Sequence, residues 1–169
     1  PRRFSYINGG VIFLKHKYLR LAACIAIPLI LGGISALAVK GSMAEYAMIE
    51  QPPLSPPGWL FPAAWSVLYV LMGAASYIVL CSGAPLYERR SALKLYAVQL
   101  VVNVLWPPVF FGLGLYLAAL AWLVLLWVLV LVTALRFRRI SRAAFCLMVP
   151  YLAWLTFAAY LNFGVWLLN

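Results

Sequence analysis

The chain has 169 residues, of which 67% are apolar and only 9% are charged, against about a quarter charged in an average soluble protein. Lys and Arg outnumber Asp and Glu by 13 to 3, which gives a net charge of +10. This composition excludes a soluble domain, so the positive charge concerns the placement of the chain in a lipid bilayer and does not indicate nucleic-acid binding.

Five apolar segments are long enough, at roughly 20 residues each, to cross a hydrocarbon core. None alternates like a lipid-facing strand, and backbone groups in lipid must be paired within their own segment, so each segment is predicted to be a helix. The sequence therefore predicts an all-α integral membrane protein with a bundle of five transmembrane helices over residues 19–169. The predicted helices cover about 19–39, 59–81, 93–113, 116–135 and 143–168, and Pro28, Pro62, Pro107, Pro108 and Pro150 predict local kinks in them.

Basic residues orient this bundle. All but one of the Lys and Arg residues precede the first helix or lie at the second and fourth connections, whereas Lys40 alone lies on the opposite side. By the positive-inside rule, the N-terminus is cytoplasmic and the C-terminus lies outside.

Two segments lie beyond the predicted spans. Residues 1–18 are predicted to be a basic tail that is disordered or interfacial, in preference to a cleaved presequence. The first connection, over 40–58, contains Pro52, Pro53, Pro56 and Pro57, which favour a stiff and extended path. A stiff connection across the mouth of a bundle is typical of a lid.

Conventional catalytic chemistry is scarce in the sequence. There is no Asp, and the only carboxylates, Glu45, Glu50 and Glu88, all fall in connections. The three cysteines are far apart and His16 is the only histidine, so no metal-ligand spacing is present. We therefore expect neither a resident metal nor a proton relay through intramembrane carboxylates.

Aromatic and amide side chains recur at helical spacing on three of the predicted helices. The three stripes are Trp65, Tyr69, Met72 and Ser76; Gln99, Asn103, Trp106 and Phe110; and Tyr151, Trp154, Ala158 and Leu161. Amides are costly in lipid, so Gln99 and Asn103 should face the bundle interior. Three such faces beneath a lid predict a pocket for a flat, apolar ligand with a few polar groups, although any one aromatic residue serves equally well in helix packing or as an interfacial anchor.

Three motifs carry a resemblance to a known family. They are Pro-Pro-x-Trp-x-Phe-Pro-x-x-Trp-x-x-x-Tyr over 56–69, Gln-Leu-x-x-Asn-x-x-Trp-Pro-Pro-x-Phe-Phe-Gly over 99–112, and Pro-Tyr-Leu-Ala-Trp from 150 with Leu-Asn-Phe ending at 163. From about Lys40 to Trp166 the chain resembles the TspO/MBR family of translocator proteins and tryptophan-rich sensory proteins.

The resemblance implies a five-helix bundle, often a homodimer, that needs no cofactor and binds protoporphyrin IX, haem or other hydrophobic small molecules. The pairs Ala22 with Ala26 and Gly32 with Ala36 permit close helix contact, within one subunit or between two. Family members occur in bacterial membranes and in the mitochondrial outer membrane, and the strong basic bias favours a bacterial plasma membrane. The ligand-binding residues implied by the resemblance are Trp65, Tyr69, Asn103, Trp106, Trp154, Ala158 and Leu161.

The sequence departs from the family pattern at two places. Leu54 and Gly58 stand where members often carry Trp and Arg around the Pro-Pro pair, so the contacts of the lid with a ligand are expected to differ. Residues 163–167 lack the Tyr and Arg of the sterol-recognition segment found in animal members, which lowers the expectation of a sterol role.

Three functions remain open from the sequence. The preferred one is a membrane receptor that binds porphyrins for sensing or transfer. The second is a transporter of tetrapyrroles or sterols, for which the sequence offers no coupling-ion site. The third is an enzyme that degrades porphyrin with light and oxygen, in which Trp65 and Trp154 would be the catalytic residues.

Overall fold

The protein is described here by a computed structural model, which covers residues 5–42, 46 and 48–169, with side chains from His16 onward. Within these residues, five long helices are apolar enough to span a membrane. They are α1 (Ser5–Ala38), α2 (Leu60–Leu80), α3 (Leu86–Pro107), α4 (Tyr116–Ile140) and α5 (Arg142–Leu168), and a π-helical turn, Pro108–Gly112, continues α3. The all-α, five-helix membrane fold predicted from the sequence is confirmed.

Several helices extend beyond the predicted apolar spans. The first begins at Ser5 instead of residue 19, so residues 5–18 of the predicted tail continue this helix; residues 1–4 lie outside the described part. The third begins at Leu86 instead of residue 93, and the fourth continues to Ile140. The physical reason is that Lys, Arg and Leu are good helix formers. A charged residue therefore ends the apolar span without ending the helix.

The helices form a ring in the order α1, α2, α5, α4, α3, and α3 also contacts α1 and α2. Side chains tie neighbouring helices together. Trp122 donates its indole N–H to the Val102 carbonyl between α4 and α3, at 2.8 Å. Asn162 of α5, in the amide orientation that satisfies both of its ends, donates to the Tyr116 carbonyl (2.8 Å) and accepts from the Leu120 N–H (3.3 Å) at the start of α4.

Close contact between α1 and α2 depends on a glycine. A Cβ at Gly73 would lie 2.6 Å from both the Cys24 carbonyl oxygen and the Ile25 Cα, which are backbone atoms that cannot move aside individually. Small residues permit this backbone approach between helices in a membrane.

The prolines affect the helices differently. Pro62 is the third residue of α2, where backbone N–H groups have no intrahelical partner, so the proline removes no hydrogen bond there. Pro107 and Pro108 instead lie where α3 changes to the π-helical turn, in which the Leu113 N–H donates to the Pro108 carbonyl five residues back, at 3.0 Å. This turn directs Phe110 into the buried core, where it is 3% exposed.

Two ends of the bundle can be distinguished by connectivity. The basic end carries the start of α1 and the α2–α3 and α4–α5 connections, and the opposite end carries the α1–α2 and α3–α4 connections and Asn169. Lys40 is the basic residue at the opposite end.

Candidate ligand-binding site

A cavity of about 520 Å³ lies between α1, α2, α3 and α5, and includes Val39 and Lys40 at the opposite end. Its size is within the range of small-molecule sites, roughly 300–1,000 Å³. The residues lining it are Gly32, Gly33, Ala36, Leu37, Val39, Lys40, Phe61, Pro62, Trp65, Tyr69, Asn103, Trp106, Pro107, Phe111, Trp154 and Ala158. None of these described lining residues belongs to α4.

The structure brings together six of the seven residues that the sequence implied as ligand contacts. Trp65, Tyr69, Asn103, Trp106, Trp154 and Ala158 all line the cavity. Leu161 is only 4% exposed and is not among the described lining residues. The three predicted stripes on α2, α3 and α5 thus converge on a shared interior.

The wall formed by α1 was not predicted. The sequence signal was present in Gly32 and Ala36, but small residues equally indicate helix association. In the structure both residues line the cavity. A Cβ at Gly32 would overlap the ring of Tyr69, so the glycine makes room for that ring. Glycine carries no functional group, so the sequence offered no chemical reason to place Gly32 at a binding site.

A chain of hydrogen bonds connects the buried polar groups of α2, α3 and α5. The Tyr69 hydroxyl donates to Asn103 Oδ1 at 2.8 Å, and Asn103 Nδ2 donates to the Tyr151 hydroxyl oxygen at 2.6 Å. The Tyr151 hydroxyl in turn donates to Gln99 Oε1 at 3.2 Å, and Gln99 Nε2 lies 3.9 Å from the Met72 sulfur. These bonds fix the orientation of the Asn103 amide at the cavity wall.

Asn103 retains hydrogen-bonding capacity for a ligand. Its amide oxygen accepts from Tyr69 and its amide nitrogen donates to Tyr151, which leaves one lone pair and one N–H, since a side-chain amide has two of each. The residue is 2% exposed, whereas Gln99, further along the chain of bonds, is fully buried and does not line the cavity.

The indole groups differ in whether their N–H is satisfied. Trp106 donates to the Ala119 carbonyl at 3.0 Å, and Trp127 donates to the Thr156 hydroxyl at 3.0 Å. The Trp154 Nε1 is buried but has no hydrogen-bond partner among the described residues, although its ring lines the cavity. An unpaired buried donor is costly.

Aromatic contacts arrange the flat surfaces of the cavity. The rings of Trp65 and Tyr69 are stacked with centroids 5.7 Å apart, and Trp65 meets Tyr151 edge-on at 6.0 Å. On the other side Phe61 meets Trp154 edge-on at 6.2 Å. Offset and edge-on contacts of this kind stabilise ring positions beyond the burial of area alone.

The first connection contacts the helix bundle at two places. Tyr46 packs edge-on against Phe111 at 5.0 Å, and burial, with a smaller effect of the nearby Tyr116, raises the pKa of the Tyr46 phenol. Further along, Tyr160 donates to the Pro53 carbonyl at 2.7 Å, and Asn169 exchanges two hydrogen bonds with the Glu50 backbone.

The described part of the connection therefore docks on the π-helical turn and on the end of α5. No residue of 48–58 is among the described residues that line the cavity, whereas Lys40, the first residue of the connection, lines it. Leu54 has a left-handed backbone conformation, with φ of 68°, and is 80% exposed. Residues 43–45 and 47 of the connection lie outside the described residues.

The fold and the cavity define a class: a multi-pass integral membrane protein with an aromatic, amide-lined cavity inside its helix bundle. Residues 24–167 match the TspO/MBR family, and the chain belongs to this family. It is 40% identical over 157 residues to the tryptophan-rich protein TspO of Chlorobaculum tepidum, covering 92% of this chain and 99% of that one.

Two further relatives carry other names. The tryptophan-rich sensory protein of Cereibacter sphaeroides is 39% identical over 143 residues, covering 82% of this chain and 88% of the relative. The translocator protein of Ovis aries is 42% identical over 122 residues, covering 72% of each chain. The family predicted from the three motifs is confirmed.

Two tyrosine variants test the contribution of this chain of hydrogen bonds to stability. Tyr69→Phe removes the donor to Asn103, and we expect it to lower the free energy of unfolding by about 1–3 kcal/mol because a buried acceptor loses its partner. Tyr96→Phe, at a similarly buried tyrosine whose hydroxyl is outside this chain of bonds, should cost clearly less. Denaturant unfolding in mild detergent measures both. Equal losses would contradict the assigned network.

Proposed function

We propose that the protein is a membrane receptor for porphyrins, with protoporphyrin IX or haem as the bound molecule, and that its basic end faces the cytoplasm of a bacterial cell. The single observation that supports this ligand class most strongly is that both Trp65 and Trp154 line a mostly apolar cavity. A flat macrocycle gains contact area on indole and phenol faces, which is where aromatic side chains contribute most.

The polar groups of the cavity suit the periphery of a porphyrin. Trp154 supplies an unpaired buried N–H, and Asn103 supplies one remaining donor and one acceptor. Lys40 lies among the lining residues at the opposite end. Protoporphyrin IX and haem each carry two propionate groups, so a carboxylate placed at this end would meet an ammonium group while the ring occupies the aromatic interior.

The binding proposal is tested by comparing tryptophans inside and outside the cavity. We expect Trp65→Ala and Trp154→Ala each to weaken protoporphyrin IX binding by about 5- to 150-fold, which corresponds to about 1–3 kcal/mol per lost anchor. The matched controls are Trp122→Ala and Trp127→Ala on α4, which contributes no described lining residue. Fluorescence titration of purified protein in the dark gives the dissociation constants, and thermal melting confirms that each variant is folded. Unchanged binding by folded Trp65→Ala and Trp154→Ala would refute the proposed site.

A second test concerns the charge at Lys40. Lys40→Gln should weaken protoporphyrin IX binding several-fold, because an exposed ion pair contributes up to about 1 kcal/mol, and should leave binding of the uncharged dimethyl ester unchanged. The control is Lys17→Gln, which removes an equal charge at the basic end. An equal effect of Lys40→Gln on the acid and the ester would show that Lys40 does not contact the propionates.

The contacts of Trp65 favour a second candidate function, the light-dependent breakdown of porphyrin. Its indole would contact the macrocycle and also lies 6.0 Å, centroid to centroid, from the ring of Tyr151. An excited porphyrin can take an electron from a nearby indole, which leaves a porphyrin radical anion and an indole radical cation. Molecular oxygen would then add to the reduced macrocycle, and return of one electron from this adduct to the indole leaves a neutral porphyrin–oxygen adduct whose O–O and ring C–C bonds break to open the macrocycle. This chemistry requires no acid, base or metal from the protein.

Illumination separates the two candidates. If the indoles take part, Trp65→Phe and Trp154→Phe will slow the light- and oxygen-dependent loss of porphyrin absorbance more than they weaken binding in the dark, since phenylalanine keeps an aromatic face but is much harder to oxidise. Rates are compared at saturating porphyrin, with anaerobic samples and the Trp122→Phe variant as controls. If porphyrin absorbance is lost at the same rate in all variants at saturation, the indoles take no part in the breakdown, and the receptor function alone is supported.

A further inference from the structure

A second cavity, of about 550 Å³, lies at the basic end, remote in sequence from the lining of the first. It is lined by Leu86, Tyr87, Arg90, Ser91 and Lys94. These residues are spaced by one and four along the first turns of α3, so they share one face of that helix. We refer to this feature as the basic groove.

The basic groove gathers positive charge without a matching carboxylate. Arg90 and Lys94 are exposed, and no ion pair to either is found among the described residues. The one carboxylate nearby in sequence, Glu88, is two residues from both Leu86 and Arg90 and therefore points away from the lining face. The cations of the groove are thus available to an external anion.

A third cation reaches the groove from α4. Arg136 Nη1 donates to the Ser91 hydroxyl at 3.3 Å, which joins the two helices at the edge of the cavity. By contrast, Arg89 turns away and donates from Nη1 to the Leu80 carbonyl at the end of α2, at 2.8 Å. Arg89 therefore makes a structural contact, whereas Arg90 lines the groove.

The rim of the groove is apolar and faces the membrane boundary. Leu86 is 54% exposed and Tyr87 is 83% exposed, and both precede the apolar run of α3. A tyrosine at such a position is typical of the interface between headgroups and hydrocarbon. Cations and a hydroxyl directly before the apolar run of α3 match a phosphodiester that carries acyl chains.

We propose that the basic groove is a binding site for the headgroup of an anionic phospholipid in the adjacent leaflet. The guanidinium of Arg90 and the ammonium of Lys94 hold the phosphate, because both form charge-assisted hydrogen bonds to phosphate oxygens. Basic pockets between transmembrane helices bind such headgroups in other membrane proteins. The acyl chains run from there toward the bilayer centre along the exposed side of α3 at Val98 and Val101, which follow Lys94 by four and seven residues on the same face. A free phosphate ester has nothing to contact there.

Lipid titration monitored by native mass spectrometry tests the site on the full chain in mild detergent. Wild type should bind the first phosphatidylglycerol more tightly than the first phosphatidylcholine. Arg90→Gln/Lys94→Gln should weaken phosphatidylglycerol binding by about 5-fold per charge, or about 30-fold in total. The charge-preserving Arg90→Lys/Lys94→Arg variant should stay within a few-fold of wild type, which excludes misfolding as the cause.

The matched control is Arg139→Gln/Arg142→Gln, which removes two exposed charges at the same end but none from the groove. Equal losses in the two double variants would overturn the proposal, since they would reflect diffuse attraction to anionic lipid. Equal affinity of wild type for the two lipids would overturn it as well. Displacement of phosphatidylglycerol by equimolar glycerol phosphate would assign the groove to soluble phosphate esters, which also contradicts a lipid site.

Discussion

The requirement that polar groups be satisfied inside the protein governs this structure, because hydrocarbon offers them no partners. The side chains of Tyr69, Asn103, Tyr151 and Gln99 meet it by bonding to one another across three helices. An amide placed in lipid without these partners would be costly, so each bond also specifies which faces of α2, α3 and α5 must meet. The position of the cavity wall follows from that arrangement.

The cavity exists because the helices that surround it meet through residues of very different size. Gly32 admits the Tyr69 ring, and Gly73 brings the backbone of α2 against Cys24 and Ile25 of α1. On the facing side, the large rings of Trp65 and Trp154 line the cavity. The helices approach closely where glycines meet and carry large rings around the cavity. The space between those rings is left open in a bundle that is otherwise tightly packed.

The sequence predicted those parts of the structure for which one helix alone carries the signal. Gln99 and Asn103 could be placed inside because an amide in lipid must avoid the hydrocarbon, and the span lengths predicted five helices. The partners of Asn103 could not be predicted, since they depend on the rotation of α2 and α5 relative to α3. The contribution of α1 was missed because Gly32 and Gly33 carry no functional group. The docking of Pro53 on Tyr160 joins segments 107 residues apart, which no local pattern encodes.

The tryptophans of this protein differ in whether the indole N–H has a hydrogen-bond partner within the protein. Trp122 and Trp127 on α4 donate to groups on α3 and α5, and their hydrogen bonds hold helix pairs together. Trp106 lines the cavity, yet it also donates to a backbone carbonyl of α4, so its polar edge is already used. Trp154 has the opposite character, with a ring at the cavity and a buried N–H that no described residue accepts. Folding in a low-dielectric interior does not favour such a group. If the proposed porphyrin accepts from this N–H, the Trp154 ring must first turn, because its nitrogen is buried.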